Sequence, residues 1–480
     1  MKIHLTDRIK PEEDFIILVQ DMEKLNQTPL SEQEQEYVCE NYVEGKRETF
    51  FFNRLSQSVF LHFCKPEHDV AALEKLRKKG DELVASLTKE KKSQAVIFAA
   101  GVDTSSALAL AEGMALGAYK FVKHKKPNDK QTLFTALKIA AGSIEEQDVA
   151  DLQNLVTACY ETRNLVNEPG NVIDAVAFAQ QMRSLAEKAG VKVDVFDKKK
   201  IGDLGMEALL TVNKGSKTEP SFTLMEWKPE NAVNLKPVVL VGKGLVFDTG
   251  GINIKPTKGL EEMKCDMAGG AAVFGAVYAA AMSKLPVHVV GLVPATDNRP
   301  GEHAMLPGDI IRLSNGKTVE IINTDAEGRL ILADALLYAQ KYDPELVIDL
   351  ATLTGSAQVA IGKYGMVGMH QDAPEAMDNL KQSGWTVYER IAELPFWEEY
   401  GEEMESDIAD LRNIGKGGGG GAITAGKFLA HFISYPWIHL DIAGVAFMDS
   451  RESYRGKGAT GFGVRLLYDF FKAMSNGLIS

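Results

Sequence analysis

Four carboxylates and three cations stand where this chain could do metal chemistry. Asp325, Glu327 and Arg329 lie in Asn323-Thr324-Asp325-Ala326-Glu327-Gly328-Arg329-Leu330, and Lys243, Asp248, Lys255 and Asp266 lie upstream. Residues two apart in an extended segment point to the same side, so Asp325 and Glu327 would converge on one point. Carboxylates aimed at one point repel unless positive charge lies between them. Four of them match the charge of two divalent cations, a pair that can activate water and hold a carbonyl. Lys255 and Arg329 would then face developing negative charge. Two plainer readings stand beside this one. Acidic residues also suit the first turn of a helix, and the charged residues could form a purely structural ion-pair network. Lys243 binds metal only as a neutral amine, so a salt bridge to Asp248 is the simpler expectation for it.

The elements that must hold these residues follow from the hydrophobic pattern. Beyond Asn171, short apolar runs (Val191 to Phe196, Val238 to Val241, Val287 to Val293, Leu346 to Ala351, Trp437 to Leu440) alternate with helical patterns (Ala175 to Ala189, Gly269 to Met282, Leu330 to Lys341, Thr424 to Ile433). Such alternation predicts a mostly parallel central sheet flanked by helices, with the ligand site beyond the carboxyl ends of its strands. Lys243 and Asp248 follow the Val238 strand, and Asp266 opens a helix of small residues. Residues 1–145 read as a smaller N-terminal α/β domain, with strands at Phe15 to Val19 and Ala95 to Ala100 and a charged Lys75 to Lys92 helix on a solvated face. His62 and His68 there lack partners for a metal site and read as structural or surface residues. Ile144 to Val166 is a long amphipathic pattern, so residues 146–166 are expected to form a linker helix, with residues 167–480 as the catalytic domain.

The net charge of −13 argues against nonspecific binding to nucleic acid or anionic membranes. Four cysteines without a CxxC pair suit a reduced, cytoplasmic chain. The first residues have no apolar signal core, and no apolar run reaches the length of a membrane span. Gly421 to Phe428 imitates a phosphate-binding P-loop, but Phe428 replaces the hydroxyl residue and no strand-like run precedes it. The Gly417 to Gly421 run reads as a flexible or tightly turned loop over the site. The nine histidines are scattered and no GxSxG elbow occurs.

With these residues in view, the chain resembles the leucyl aminopeptidases, also called cytosol aminopeptidases. NTDAEGRL at Asn323 to Leu330 is that family's signature octapeptide. VGKGLVFDTGG from Val241, KP at Lys255, MKCDM from Met263, NGKTVE from Asn315, DLATLTG from Asp349, SDIADLRNIG from Ser406 and HLDIAG from His439 match in order and spacing. The resemblance is strong over residues 160–480 and weak before, where it rests on Glu112-Gly113, Leu116-Gly117 and Tyr119. It implies a two-metal exopeptidase (Mn²⁺ or Zn²⁺) that removes leucine and other apolar N-terminal residues from peptides. Lys243, Asp248, Asp266 and Glu327 would form the tighter metal site, and Asp248, Asp325 and Glu327 the exchangeable one. Water held between the metals would attack the scissile carbonyl while the substrate's free amine binds one metal. Lys255 would stabilise the oxyanion, and Arg329 would hold a bicarbonate ion acting as general base. Met263, Asn323, Ala326, Thr352, Leu353 and Gly355, with Ala443, would contact substrate; Thr352 and Leu353 also read as ordinary strand-end residues. The family further implies a homohexamer and a macro-domain-like N-terminal domain.

One departure bears on loop packing and fine specificity. Where the family usually reads close to ENMPSGxAxxPGD, this chain has Asp297-Asn298-Arg299-Pro300-Gly301-Glu302-His303-Ala304: Asn298 is kept, Arg299 replaces an apolar residue and Glu302 adds charge. Two rival functions stand: a dipeptidase tuned to Cys-Gly, told apart by its turnover against Leu-Gly, and a DNA-binding regulator, which would show salt-dependent gel shifts.

Overall fold

The short apolar runs become strands in a computed structural model, most within a residue or two of their expected ends, though the Val287 to Val293 run becomes Val289–Asn298. The structure describes every residue except 8, 11, 65–68, 127–132, 141, 143 and 480, so His68 lies outside the described residues. The chain divides into two compact units: Met1–Tyr160 with Arg451–Gly456, and Glu161–Ser450 with Lys457–Ser480. A single helix, Glu146–Asn167, covers most of the long amphipathic pattern.

The first unit carries a six-stranded sheet in the order Lys2–Leu5, Ala136–Ala140, Gln94–Ala100, Phe15–Val19, Ser58–Phe63, Thr49–Asn53, parallel except for the last pair. Phe15, Ile17, Val19, Val59 and Leu61 build one face of its core. The charged helix Val70–Lys89 is less solvated than its sequence suggests: Glu74, Arg77 and Asp81 are buried. Arg77 Nε donates to Glu112 Oε2 at 2.6 Å, so the Glu112 stretch serves helix packing. His62 is structural, with Nδ1 2.9 Å from Thr49 Oγ1; burial pushes its pKa down to about 4.

The second unit is built on a nine-stranded sheet. Its order is Ile391–Glu393, Met366–Gln371, Trp437–Asp441, Leu346–Ala351, Val238–Gly242, Val289–Asn298, Ser221–Trp227, Lys192–Phe196, with Gly244–Asp248 pairing further along Val289–Asn298. The centre is parallel. Antiparallel pairs sit towards the two edges. Two helices position the site. Gly328–Ala339 buries Leu330, Ile331, Leu332 and Leu336, each contributing about 1.5–3 kcal/mol by leaving water. Ala268–Met282 is buried nearly throughout. Its small residues let it lie against the Leu346–Ala351 strand: a Cβ on Gly269 would stand 2.1 Å from Leu350 O. That close approach brings Asp266, just before the helix, to Thr352, just after the strand.

One expectation changes here and one holds. By length and composition the helical stretch Leu260–Met282 could cross a membrane, contrary to the sequence reading, but most of it is buried inside this unit. The P-loop look-alike dissolves differently: Gly421 to Phe428 lies within the helix Gly421–Ala430, so it forms no phosphate cradle. The glycines before it make a tight turn, with positive φ at Gly417, Gly419 and Gly420.

Asp334, buried in the Gly328–Ala339 helix, accepts from Leu209 N at 2.9 Å and so caps the uncapped start of the Glu207–Asn213 helix. Burial pushes its pKa up to about 8. A carboxyl whose folded pKa exceeds its unfolded value favours the fold fully below the unfolded pKa, and that contribution is lost as pH rises through the folded one. Asp334→Asn keeps an acceptor for Leu209. It should therefore gain on the parent by roughly 1 kcal/mol per pH unit between about pH 5 and 7 in urea unfolding of the metal-free protein. A pH-independent difference would refute the buried-carboxyl account.

Candidate active site

The ligand candidates arrive from three segments of the second unit. Lys243 interrupts the run between the strands Val238–Gly242 and Gly244–Asp248, and Asp248 ends the second. Asp266 follows a short helical turn, Leu260–Cys265. Asp325 and Glu327 come from the loop before Gly328–Ala339. That loop is not extended: Thr324 and Asp325 form a turn, and Glu327 already has helical φ and ψ of −78° and −33°. The two carboxylates converge because the turn folds them together, not because strand parity aligns them. Oxygen atoms of Asp248, Asp325 and Glu327 all lie within 4.8 Å of one another.

The lysines thread this cluster. Lys243 Nζ is 2.8 Å from Asp266 Oδ2 and 3.1 Å from Glu327 Oε1, and it donates to Thr352 O at 3.0 Å. Its ion pairs are thus with Asp266 and Glu327, whereas the residue-level reading paired it with Asp248. Lys255 takes that carboxylate instead, with Nζ 2.7 Å from Asp248 Oδ2 and 2.5 Å from Asp325 Oδ1. Gly328 leaves the room Lys243 needs, since a Cβ there would meet the lysine Cε at 2.5 Å. Thr352 Oγ1 donates to Asp266 Oδ1 at 2.7 Å.

Two ammonium groups do not balance four carboxylates, of which Asp248, Asp266 and Glu327 are buried and Asp325 is half-buried. Burial, then Glu327 and Asp266, push the Asp248 pKa up to about 8. Asp266 is pushed up to about 6, first by burial, and Asp325 rises for the same reason. Burial also opposes charge on Glu327, but Lys243 and Lys255 outweigh it and hold its carboxyl below the usual value. Lys243 is held above the usual range by Asp266, Glu327 and Asp248 against its own desolvation. Glu327 Oε2 is buried with no hydrogen-bond donor among the described residues. A cluster short of positive charge, with an unsatisfied buried carboxylate oxygen, fits divalent cations.

A cavity of about 590 Å³ opens onto this cluster. Lys243, Asp248, Lys255, Asp266, Asp325 and Glu327 line it together with Met263, Thr352, Leu353, Gly355 and Ala443. Asn323, Ala326 and Arg329 do not line it. Asn323 Oδ1 accepts from Asp325 N at 2.8 Å, and Ala326 is buried. Arg329 lies behind the loop, where Nη1 donates to Asn413 O at 2.8 Å and Nε has no acceptor among the described residues. Its burial lowers the pKa to about 10.

Residues 160–468 match the cytosol aminopeptidase family, catalytic domain. The chain belongs to that family. A probable cytosol aminopeptidase of Chlorobaculum parvum is 47% identical over 385 residues, covering 77% of this chain and 75% of the relative. One from Geobacter sulfurreducens is 45% identical over 384 residues, covering 78% and 76%. The fold is similar to the bottromycin maturation enzyme BotP in complex with Mn (28% identity, TM-score 0.84, covering 96% of this chain and 100% of that one). A mutant of tomato leucine aminopeptidase is equally similar (28%, TM-score 0.84, covering 98% and 96%). As a cytosol aminopeptidase the chain is a metal-dependent hydrolase of peptide bonds.

Three supports of the aminopeptidase site were given no role in the sequence reading. Asn413, fully buried, accepts from Ile322 N and Asn323 N and donates to Asn323 O at 2.7 Å. Asp441 accepts from Leu353 N, Ala443 N and the Thr354 hydroxyl, fixing the wall beside Thr352. Asn298 donates to Asp248. All three sit inside stretches the family resemblance had picked out, so the signal was present at the level of motifs. Arg299, the departure from the family pattern, pairs with Asp297, and its guanidinium lies 5.7 Å from the centre of the Phe247 ring.

Proposed function

We propose that the protein removes single residues, leucine and other apolar ones preferred, from the free N-termini of peptides, using two divalent ions, Mn²⁺ or Zn²⁺. Lys243, Asp248, Asp266 and Glu327 would hold one ion, and Asp248, Asp325 and Glu327 the other. The observation that carries this reading is the convergence of Asp248, Asp325 and Glu327 oxygens within 4.8 Å, beside an unsatisfied buried oxygen of Glu327. Bound there, the ions supply Lewis acidity towards the scissile carbonyl and a nucleophile from water at neutral pH. Lys243 can serve as a neutral amine only once the carboxylates that now hold its proton are neutralised otherwise. Lys255, at the cavity wall, directs an ammonium at the carbonyl oxygen as it gains charge. Met263, Thr352, Leu353, Gly355 and Ala443 shape the wall that takes the first side chain, and the thioether of Met263 adapts to apolar groups. The unmet Nε of Arg329, behind the loop rather than in the cavity wall, is the group that would hold an anion such as bicarbonate as general base. A cytosolic homohexamer completes the reading.

Hydrolysis of leucine p-nitroanilide tests it. The chelated protein should be inactive, added Mn²⁺ or Zn²⁺ should restore turnover, and Asp325→Ala should stay inactive with either. Faster turnover of Cys-Gly than Leu-Gly would move the assignment to a dipeptidase. Absence of turnover with any metal on a dipeptide panel would end the peptidase reading.

A further inference from the structure

We propose that Asn298 is a positioning residue whose amide locks Asp248 to the loop carrying Asp325 and Glu327, keeping one oxygen of Asp248 turned to the cavity. The proposal rests on the metal-site reading above. Asn298 ends the Val289–Asn298 strand and pairs in register with Asp248 at the end of the neighbouring strand. It is only 2% exposed. Its Nδ2 donates to Asp248 Oδ1 at 2.9 Å and to Thr324 O at 3.0 Å, so both amide hydrogens are used. Its own carbonyl accepts from Thr249 N and the Thr249 hydroxyl, which fixes the backbone behind it.

The consequence falls on Asp248. Gly250 N also donates to Oδ1, at 2.9 Å, so that oxygen has two protein donors. Oδ2 is left facing the cavity, where Lys255 meets it. The second hydrogen of Asn298 reaches the residue just before Asp325, and the Thr324 hydroxyl closes the circle by donating to Gly250 O at 2.6 Å. One neutral side chain thus holds together two segments, distant in sequence, that supply three of the four carboxylates.

The residue type follows from the charge of the site. A carboxylate here would set a fifth negative group against Asp248. A lysine would draw the Asp248 charge away from the cavity, and a serine could donate only once. An amide supplies two donors and no charge. The flanking Asp297 and Arg299 pair with each other and do not compete for Asp248.

The test compares parent, Asn298→Ala and Asn298→Asp by equilibrium dialysis against Mn²⁺, with thermal unfolding of each metal-free protein alongside. Both variants should fold and bind Mn²⁺ about 10–100-fold more weakly than the parent, the loss expected when a ligand's supporting hydrogen bond is removed. The aspartate should be the weaker of the two. At saturating Mn²⁺ the alanine variant should regain turnover with an unchanged KM. If Asn298→Ala does not fold, Asn298→Ser, which keeps one donor, takes its place and should fall between parent and Asp. Parent-like Mn²⁺ affinity in the variants overturns the proposal, even where they unfold at lower temperature, because that pattern marks a structural residue only. A parent that binds no Mn²⁺ overturns the metal-site reading itself, and that failure is visible without any variant.

Discussion

Asp248→Asn should lower leucine p-nitroanilide turnover by at least about 100-fold while leaving the thermal stability of the metal-free protein within about 2 °C of the parent. The two expectations come from one fact. Burial and the neighbouring Glu327 and Asp266 push the Asp248 pKa up to about 8, so the metal-free fold gains little from charge on this group. An amide of the same shape still accepts at Oδ1 from Gly250 N and Asn298 Nδ2. Lys255 retains Asp325 as its partner. Divalent ions, by contrast, need the carboxylate. Loss of a ligand must exceed the 10–100-fold typical of losing a ligand's neighbour. Added Mn²⁺ should raise the unfolding temperature of the parent and not that of the variant, since a ligand stabilises only the form that binds it. Retained Mn²⁺ stabilisation in the variant would remove Asp248 from the ligand set.

Lys255→Met should separate binding from chemistry. The ammonium of Lys255 sits at the cavity wall, 22% exposed, against Asp248 and Asp325. Without metal it competes for the oxygens an ion would use. Its removal should leave Mn²⁺ affinity equal or tighter, yet lower kcat by about 10²–10³-fold with KM little changed, the signature of losing a group that acts on developing oxyanion charge. Weakened Mn²⁺ binding with unchanged kcat would assign Lys255 to the metal site instead.

The sheet and the helices of the second unit were legible because buried parallel strands are short apolar runs between helical patterns. Ser221–Trp227 was not read as a strand, nor was Met366–Gln371. Both pair antiparallel towards the sheet's edges and carry polar residues (Ser221, Thr223 and Glu226; His370 and Gln371), so neither reads as a continuous apolar run. The chemistry-bearing residues were legible as types and spacings, and the cavity gathers most of them. Their pairings were not. Lys243 breaks the strand between Gly242 and Gly244, and Asp248 follows a register shift, so their spacing did not say that both would line one cavity with the lysine paired to Asp266 and Glu327. Asn413 was hidden for another reason. It reaches Asn323 from ninety positions away, through hydrogen bonds that no local pattern announces.

The buried Gly- and Ala-rich helix Ala268–Met282 also sets a schedule. Every candidate metal ligand is translated by Glu327, yet the helix behind Asp266 is clasped by elements made later. Gly269 lies against Leu350, and a Cβ on Gly275 would stand 2.7 Å from Val464, in the C-terminal helix Val464–Ser475. On the ribosome this helix meets its earlier partners, Thr162 and Phe178 among them, but lacks the cover of Leu350 and Val464 until those segments have emerged, so it stays a partly exposed apolar segment for that part of synthesis. Asp266 therefore gains its full support only after Leu350 and Val464 are made, so metal loading is expected to follow them.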